Sequence, residues 1–563
     1  MAITREQLSA ELNKLLGEEI KAEDFSIPPD EKLGDLALPC FALAKKRGQN
    51  PVQVAVEVAK LCETTEFSWS KVLATGPYVN FCFKDEFLKE QLLTKVVANK
   101  NFGQGKAKKE KIMVEFAQPN THKAFHIGHL RNTITGESIV RILENAGHEV
   151  LRVNYQGDLG MHIAKALWGL NQLRAEFEIV KKSDLNAKVA FLGQAYARGA
   201  QEFESNEAVK AEIESLNQKI YDNDVSIRAD YELTRNWSLE YLEIVYARLG
   251  VHFDKYYFES QVFKRGAELV KENLATKIFK KSEGAIIFEG EKFGLHSRVF
   301  INSRGLTTYE AKDLALAEQQ LIEKPDKIIH VVGKEQSEYF KVIFKAIETV
   351  WPEAVGKEFH LPYGWVFLKH GKMSSRTGQV VLGEWLIDEI AQQVDEIMKD
   401  SDLKDKAGTV EKVSLSAVKY ALLKIGVQAD LSFDINESVS LAGDSGPYLL
   451  YIIARINSLL EKAGQFTSSE LGTFALEPSE RRLIFSLFEY SDFAKKAAED
   501  LDPSQIAKTL LNLAQDFNSF YANCQIIKAD ADRKNFRLHL IGAVRQVMLS
   551  GLSLLGIESV EAM

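Results

Sequence analysis

The chain has 563 residues and a net charge of −9, and its 45% hydrophobic and 26% charged residues are typical of a soluble globular protein. This length exceeds what one core supports, so we expect roughly three to four domains. No window of about 18 apolar residues occurs, which excludes a transmembrane helix, and the first residues lack the apolar stretch of a signal peptide. Four cysteines without a CxxC pair disfavour disulfides and a cysteine zinc site, and they favour a reduced cytoplasm.

The first predicted domain covers residues 1–105. Helical patterns come first, and a strand-like apolar run follows at 72–83. The polar segment 103–111 then predicts a linker, and its lysines suit a solvated connection better than a phosphate site. These patterns indicate a small α+β N-terminal domain.

The second predicted domain, 106–404, alternates apolar runs of strand length with amphipathic helical stretches. The runs lie at 112–116, 150–155, 298–302 and 327–332. Strands that are apolar throughout and separated by helices are typical of a parallel sheet covered on both faces. We therefore predict a Rossmann-like doubly wound domain, with a charged helical insertion at about 171–250.

The third predicted domain, 405–563, shows no strand pattern. Apolar residues recur there at i, i+3 and i+4 in successive segments. This periodicity predicts an all-α helix bundle. The fold class is therefore a multidomain α/β protein with a Rossmann-like centre.

The segment from Pro119 to His129 carries the pattern HxGH directly after an apolar run. It opens a helix whose buried side is predicted from residues spaced by four, namely Leu130, Ile134, Ser138 and Ile142. A helix N-terminus at the carboxyl edge of a parallel sheet offers free N–H groups to phosphates, and His126 and His129 add imidazole donors. Gly128 leaves room for a base. Taken alone, the HxGH pattern could also occur by chance, with His126 packed in the core and His129 on a solvated face. Its position between a strand and a helix favours a nucleotide site.

A second motif, GKMSSR, spans Gly371 to Arg376 after the strand-like run 363–369. Glycine and serine around Lys372 predict a mobile loop that brings a point charge to phosphate oxygens. The same letters alone describe an ordinary polar surface loop. Its place beyond the second half of the predicted sheet favours a loop that closes over a nucleotide.

HxGH early and KMSS late form the signature of class I aminoacyl-tRNA synthetases, and the finer sequence resembles arginyl-tRNA synthetases over nearly all of the chain. The likeness is carried by 119–131, 154, 157–160, 249–254, 308–313, 331–336, 446–456 and the ending GIESVEAM. The resemblance implies that L-arginine is activated with ATP and Mg²⁺ and transferred to the 3′ end of tRNA(Arg), with activation that requires the tRNA. It also implies a cytoplasmic monomer whose N-terminal domain contacts the tRNA elbow and whose helical tail binds the anticodon.

The resemblance assigns arginine binding to Glu115, Asn120, Tyr309, Asp313 and Gln336. A guanidinium is a planar fork of donors that keeps its charge, so its pocket needs carboxylates. Local sequence alone would equally allow Asp313 as a helix-surface acid and Tyr309 as a core residue. Glu115 lies inside an apolar strand and is more informative, because a buried acid needs a partner. Gln118 stands where the family has a small serine, which leaves the contact at that position open.

The resemblance also implies roles in catalysis and in nucleotide and tRNA binding. Catalytic roles fall on His126, His129, Lys372 and Lys123. ATP binding falls on His126, Gly128, His129, Gly333, Lys372, Met373, Ser374 and Ser375. Contact with tRNA falls on Tyr448, Arg455 and Met563. No side-chain metal site is expected, and the division of labour between Lys123 and Lys372 stays open.

Three other functions compete with this interpretation. A cysteinyl enzyme needs a zinc thiolate site, for which these cysteines are not arranged, whereas a lysyl or glutamyl enzyme is harder to exclude from motifs. A small-molecule nucleotidylyltransferase also uses HxGH, but the helical tail would then have no task. A non-catalytic tRNA-binding paralogue is expected to have lost a motif histidine or Lys372, and both are present.

Overall fold

The structure, a computed structural model, describes residues 2–65, 67–369, 381–464 and 472–563. Its N-terminal region is a small antiparallel sheet covered by helices. The elements are α1 (Ala2–Leu16), β1 (Leu36–Pro39), α2 (Phe41–Arg47), α3 (Pro51–Glu63), β2 (Trp69–Thr75), β3 (Tyr78–Phe83) and α4 (Asp85–Gln91), which continues as a π-helical segment, Leu92–Val97. β3 lies between β1 and β2 and pairs with both. The mixture of helix and strand predicted for this region is confirmed.

The centre of the chain alternates strands and helices. Its first half contains β4 (Lys111–Glu115), α5 (Ile127–Asn145), β5 (Glu149–Gln156), α6 (Met161–Gln172), α7 (Arg174–Val180), α8 (Leu185–Ser205), α9 (Glu207–Tyr221), α10 (Val225–Arg248) and β6 (Lys255–Phe258). The helices α7 to α10 fill the stretch for which helices were predicted. Leu130, Ile134, Ser138 and Ile142 on α5 are all buried, as their spacing predicted.

The second half of this region completes the sheet. It contains α11 (Glu259–Glu272), β7 (Phe279–Ser282), β8 (Ala285–Phe288), β9 (Arg298–Ile301), α12 (Tyr309–Ile322), β10 (Lys327–Gly333), α13 (Ser337–Val350), β11 (Glu358–Tyr363), β12 (Val366–Leu368) and α14 (Gly383–Ile397). Short 3₁₀ turns lie at Ala22–Asp24, Glu31–Leu33, Gly290–Phe293, Lys334–Gln336 and Pro352–Ala354.

A parallel sheet with strand order β11-β10-β4-β5-β6 forms the core of this region. In its register Glu115 lies beside His330 of β10 on one side and Val153 of β5 on the other. The direction in which successive strands are added reverses between β4 and β10, so a crevice opens at the carboxyl ends of the strands there. The Rossmann-like prediction is confirmed.

One predicted strand lies elsewhere. The run 298–302 forms β9, which pairs antiparallel with β8 in a separate sheet that also contains β7. Its assignment to the parallel sheet was wrong, because an apolar run of strand length fits a buried strand of either kind. Phe300 and Ile301 are buried against α11 and α12 instead.

The described part of the C-terminal region is helical apart from one short strand. It contains α15 (Lys406–Leu423), β13 (Leu431–Phe433), α16 (Ile435–Ser438), α17 (Gly446–Ala463), α18 (Pro478–Asp500), α19 (Ser504–Asn523) and α20 (Ala531–Leu554). β13 pairs in parallel with β12, so the prediction of no strand after about 405 was wrong. A run of three residues is too short to give a periodic signal.

The N-terminal region is fastened to these C-terminal helices. Arg481 on α18 forms ion pairs with Asp35, at 2.7 Å, and with Asp85. Lys89 on α4 donates to the carbonyls of Gly472 and Phe474, at 3.0 and 2.5 Å. The two ends of the chain therefore form one contiguous body. No helix in the described part of the chain is long and apolar enough to cross a membrane.

Candidate active site

The segment between β4 and α5 carries the first motif and is held in a strained path. Ala117, Gln118 and His122 have positive φ angles of 72°, 48° and 60°. A left-handed conformation costs a non-glycine residue about 1–2 kcal/mol, so it persists only where other contacts impose it. One such contact is the 2.7 Å hydrogen bond from the Ala117 N–H to Oδ1 of Asn132. Another is the 2.9 Å bond from the Thr121 N–H to the Gly157 carbonyl.

His126 is the N-cap of α5. Its Nδ1 accepts the N–H groups of Gly128 and His129, at 3.1 and 3.3 Å. The expectation of free N–H groups at this helix N-terminus is therefore wrong for Gly128 and His129. A Cβ on residue 128 would lie 2.9 Å from the His126 ring, so Gly128 is what allows the ring to fold back onto the helix.

The two motif histidines stack on each other, with ring centroids 3.7 Å apart. Nδ1 of His129 accepts the backbone N–H of His126 at 3.4 Å. Burial lowers the pKa of both imidazoles, that of His129 to about 3, so both rings are neutral near pH 7. A neutral imidazole that accepts at Nδ1 carries its hydrogen on Nε2. Each ring can therefore offer one Nε2–H donor.

The lysines and glycine predicted near the nucleotide fall in different places. Lys123 lies exposed on the same loop, with its ammonium 5.8 Å from the centre of the Tyr196 ring. Gly333 is the last residue of β10 at the carboxyl edge of the sheet. Lys372, Met373, Ser374 and Ser375 lie outside the described residues.

A cavity of about 380 Å³ opens at the carboxyl ends of β4, β5 and β10, between α12 and α13. This volume is within the range of small-ligand pockets. All five predicted arginine-binding residues line it: Glu115, Asn120, Tyr309, Asp313 and Gln336. Tyr309 is 63% exposed at the mouth, so it is not a core residue.

Asp313 faces this cavity rather than open solvent. Its Oδ2 accepts a 2.6 Å hydrogen bond from the Tyr339 hydroxyl. Burial raises the pKa of Asp313 to about 7, the Tyr339 hydrogen bond opposes this rise, and the nearby charge of Glu115 adds to it. The carboxyl group is thus held where its charge is costly, and a bound cation would relieve that cost.

Glu115 has its partners within the protein. The amides of Gln118 and Gln320 each donate to it at 2.6 Å, and Nδ1 of His330 lies 3.3 Å from Oε2. Burial favours the neutral acid, but the charge of His330 and these hydrogen bonds bring the pKa of Glu115 below its ordinary value. Nε2 of His330 also contacts Glu358 at 2.7 Å. Burial favours the neutral ring, but the two carboxylates together outweigh it and raise the pKa of His330. Gln118 is therefore a hydrogen-bond donor that helps to fix Glu115.

Sequence reasoning missed several further residues of the cavity: Tyr155, Glu259, Arg298, Glu310, His330 and Tyr339. Glu259 pairs with Lys312 at 2.9 Å, and Glu310 pairs with Arg298 at 3.2 Å. Within the described part of the chain, the Tyr155 hydroxyl, Glu259 Oε2 and Arg298 Nε are buried without a hydrogen-bond partner. Buried polar atoms are normally satisfied, so these atoms indicate a polar ligand. Of these residues, only His330 could have been suspected from the sequence, because it is a titratable residue inside an apolar strand.

The residues predicted to contact tRNA lie on α17 and at the C-terminus. Asn518 of α19 joins two of them, since its amide donates to the Tyr448 hydroxyl at 2.7 Å and accepts from Arg455 at 3.0 Å. The Arg455 guanidinium also lies 5.1 Å from the centre of the Tyr521 ring. The C-terminal tail lies along α17, where the Asn457 amide donates to the Glu561 carbonyl, and Met563 packs beside the core.

Comparisons with known families agree with this geometry. The family model described as "tRNA synthetases class I (R), catalytic domain" matches residues 92–435. The "DALR anticodon binding domain" matches 449–563, and the "Arginyl tRNA synthetase N terminal domain" matches 2–83. The parallel sheet, the capped HxGH helix and these matches define a class I aminoacyl-tRNA synthetase.

Similarity to individual proteins shows which class I family the chain belongs to. The chain is 34% identical to the arginine–tRNA ligase of Bdellovibrio bacteriovorus, over 95% of this chain and 93% of that protein. It is 32% identical to the arginine–tRNA ligase of Treponema denticola, over 98% and 96% of the two chains. The solved arginyl-tRNA synthetase of Thermus thermophilus superposes with a TM-score of 0.79 at 26% identity, covering 99% of this chain and 100% of that one. The chain belongs to the arginine–tRNA ligase family.

Proposed function

We propose that the protein activates L-arginine with ATP and transfers it to the 3′ end of tRNA(Arg). The observation that carries the proposal is Asp313, a cavity carboxylate whose close partner, Tyr339, is neutral. Four other carboxylates line the cavity: Glu115, Glu259 and Glu310 already face cationic side chains, whereas Glu335 lies exposed to solvent. Asp313 is thus the carboxylate that a guanidinium from outside can neutralise.

The other lining residues fit an arginine in one orientation. The aromatic ring of Tyr309, at the mouth, can cover the substrate's aliphatic stem. Glu115 closes the inner end, fixed by Gln118, Gln320 and His330, so it orients the pocket and adds negative potential. Asn120 and Gln336 provide amides for the α-amino and α-carboxylate groups. This places the substrate carboxylate toward α5.

The first reaction step requires no side-chain nucleophile. An oxygen of the arginine carboxylate attacks the α-phosphorus of ATP, the bond from that phosphorus to the bridging oxygen breaks, and pyrophosphate leaves. The Nε2–H donors of His126 and His129 would stabilise the negative charge that builds on the phosphate oxygens. Gly128 keeps the His126 ring in place, and Gly333 lies at the sheet edge where the nucleotide would bind. Positioning and electrostatics account for the rate.

Cations would complete nucleotide binding. Mg²⁺ enters with ATP as part of the substrate, since this ion prefers phosphate oxygens and water to a protein cage. Lys123, with Lys372 and the serines Ser374 and Ser375 of the second motif, would hold the β- and γ-phosphates, and Met373 would contact the nucleotide.

In the second step, a terminal adenosine hydroxyl of the tRNA attacks the carbonyl carbon of arginyl-adenylate, and AMP leaves. We assign 1–105 to contact with the tRNA elbow, 106–404 to catalysis with the helical insertion 171–250, and 405–563 to anticodon binding. Tyr448, Arg455 and Met563 would contact the anticodon arm. We further propose that the protein works as a monomer in the cytoplasm.

The test is ATP–pyrophosphate exchange with each of the amino acids in turn, in the presence of total tRNA, followed by charging with labelled arginine. Exchange and charging should occur with arginine. Exchange with lysine or glutamate instead would overturn the assignment of Asp313 as a guanidinium site. Exchange without charging of any tRNA would overturn the second step.

A further inference from the structure

His122 stands out in the loop before α5 because the proposed reaction gives it no role. Its side chain is 2% exposed, and its φ angle of 60° is unfavourable for a residue with a Cβ. It lies between Asn120 and Lys123, which we assigned to the substrate and to the phosphates. Strain that persists next to a proposed site needs a contact that imposes it.

The hydrogen bonds that can hold His122 in this conformation come mainly from one helix, α10. The His122 N–H donates to the Ser238 hydroxyl at 3.0 Å, and Nε2 of the ring lies 2.8 Å from the Thr234 hydroxyl. Both hydroxyls project from α10. Nδ1 faces the hydroxyl of Thr121 at 3.0 Å. Backbone and ring of His122 are therefore both tied to α10.

The hydrogen-bond directions follow from the helix itself. The Thr234 hydroxyl donates to the Asp230 carbonyl at 2.7 Å, so its oxygen accepts from the imidazole. Hence Nε2 carries the hydrogen and Nδ1 accepts from Thr121. Burial lowers the pKa of the ring to about 3, which keeps it neutral. Every polar atom of His122's side chain has a defined partner.

Helix α10 is itself fixed at its middle and at its end. Near its middle, Arg235 forms a 2.8 Å ion pair with the fully buried Asp158, on the segment after β5. At its end, Arg248 pairs with Glu411 of α15 at 2.8 Å, and Lys419 of α15 donates to the Leu249 carbonyl at 2.8 Å. Because α10 is fixed by these contacts, it can hold the loop before α5 in a defined position.

We propose that His122 is a positioning residue for amino-acid activation, which pins the loop 119–123 to α10 and so sets Asn120 and Lys123 relative to His126 and His129. The inference rests on the proposed function. If the bonds to α10 are lost, φ at residue 122 can relax to a negative value and the loop shifts. A small displacement of positioning groups lowers the rate of a step that depends on alignment, with less effect on substrate affinity.

The test uses Thr234→Val and Thr234→Ser, a matched pair that differs in the hydroxyl group. Arginine-dependent ATP–pyrophosphate exchange is measured with tRNA present, and kcat, KM for arginine and Tm are compared. Thr234→Val should lower kcat about tenfold or more with KM changed by less than about threefold. Thr234→Ser should restore kcat. A double-mutant cycle should show that His122→Ala combined with Thr234→Val is no slower than His122→Ala alone.

Each other outcome counts against the inference. Equal losses in Thr234→Val and Thr234→Ser, or a lowered Tm with unchanged kcat, would assign the contact to stability alone and overturn it. If Thr234→Val does not fold, Ser238→Ala, which removes the acceptor of the His122 N–H, should show the same fall in kcat, and an unchanged kcat there overturns the inference. Failure of the proposed function is distinguishable, because the wild-type protein would then show no arginine-dependent exchange.

Discussion

The Tyr339 hydroxyl donates a 2.6 Å hydrogen bond to Asp313 and orients this carboxylate without cancelling its charge. The neighbouring Glu259 differs, because Lys312 lies 2.9 Å from it and neutralises it. An incoming cation therefore gains more from Asp313 than from Glu259. The predictions for substrate choice follow from this contrast.

Replacing Asp313→Asn should keep the fold and ATP binding but lower kcat/KM for arginine by about 10⁴-fold, because the guanidinium loses its charged partner. Tyr339→Phe is the matched control: it removes the hydrogen bond and keeps the carboxylate, so its loss should be far smaller. Steady-state exchange kinetics with arginine measure both. Near-normal kinetics in Asp313→Asn would show that the guanidinium binds elsewhere.

The affinity for arginine should depend on pH through Asp313. Its pKa in the free protein is about 7, against an ordinary value of 3.8, so it is protonated and uncharged below pH 7. KM for arginine should rise about tenfold per pH unit below that pKa and level off above it. The profile is measured from about pH 5.5 to 8.5. A wild-type profile as flat as that of Asp313→Asn would contradict the assignment.

The same shift has a consequence for stability with the opposite sign. A carboxyl group whose folded pKa is raised binds more protons in the folded than in the unfolded state, so it lowers stability as pH rises from about 4 to about 7. Without substrate, Asp313→Asn should therefore have a higher Tm than the wild type at about pH 8 and a similar Tm at about pH 4. Thermal unfolding at the two pH values checks this. A lower Tm at the higher pH would mean that Asp313 stabilises the empty pocket.

His129→Ala should lower the rate of adenylate formation by at least about 10²-fold, with a smaller change in arginine affinity, because its Nε2–H acts on charge that develops during the reaction. Single-turnover formation of the adenylate gives the rate. If the variant lost stability and kept its rate, His129 would be a packing residue.

His126 allows its two ring nitrogens to be tested separately. His126→Asn places an oxygen near the position of Nδ1 and so keeps the cap of α5, but it has nothing at the position of Nε2. Both His126→Asn and His126→Ala should be slow by at least about 10²-fold, and His126→Ala alone should lose about 1 kcal/mol of unfolding free energy. A fast His126→Asn enzyme would confine this histidine to capping.

Local patterns predicted what local physics determines. The spacing of Leu130, Ile134, Ser138 and Ile142 identified the buried side of α5, because a helix places such residues on one face. The run 298–302 was recognised as a strand but placed in the wrong sheet, since its partners β7 and β8 are chosen by tertiary packing. Hydrophobic periodicity predicts the type of a segment but not the strands with which that segment pairs.

Only part of the cavity lining was predictable from the sequence, and its network of hydrogen bonds and ion pairs was not. Asp313 and Tyr309 were identified through the resemblance, and both line it. The pairing of Glu115 with His330 joins adjacent strands that are far apart in sequence, so no local pattern signals it. The capping role of His126 was missed for another reason: side chains of Ser, Thr, Asp or Asn are the usual caps, and histidine is not among them.

Amino-acid activation should depend on tRNA, and the structure offers a physical route. Helix α17, which bears Tyr448 and Arg455, packs on α15, and α15 holds the end of α10 through Lys419. Binding of the anticodon arm can favour an active-site geometry only by its differential affinity for that geometry. We expect little ATP–pyrophosphate exchange with arginine and ATP alone, and strong exchange when cognate tRNA is added. Full exchange without tRNA would show that the site is competent on its own.

A truncated variant is unsuitable for this test. The C-terminal helix α20 packs on α5, and the Ser138 hydroxyl of α5 donates to the Leu554 carbonyl at 2.8 Å. Removing the C-terminal helix would therefore disturb the catalytic helix itself. Arg455→Ala instead changes a side chain of α17 that we propose contacts the tRNA. It should raise the tRNA concentration for half-maximal exchange by about tenfold, equivalent to about 1.4 kcal/mol, and leave the rate at saturating tRNA close to that of the wild type. A lower saturated rate with unchanged half-saturation would place Arg455 in the transmission of the signal rather than in tRNA binding.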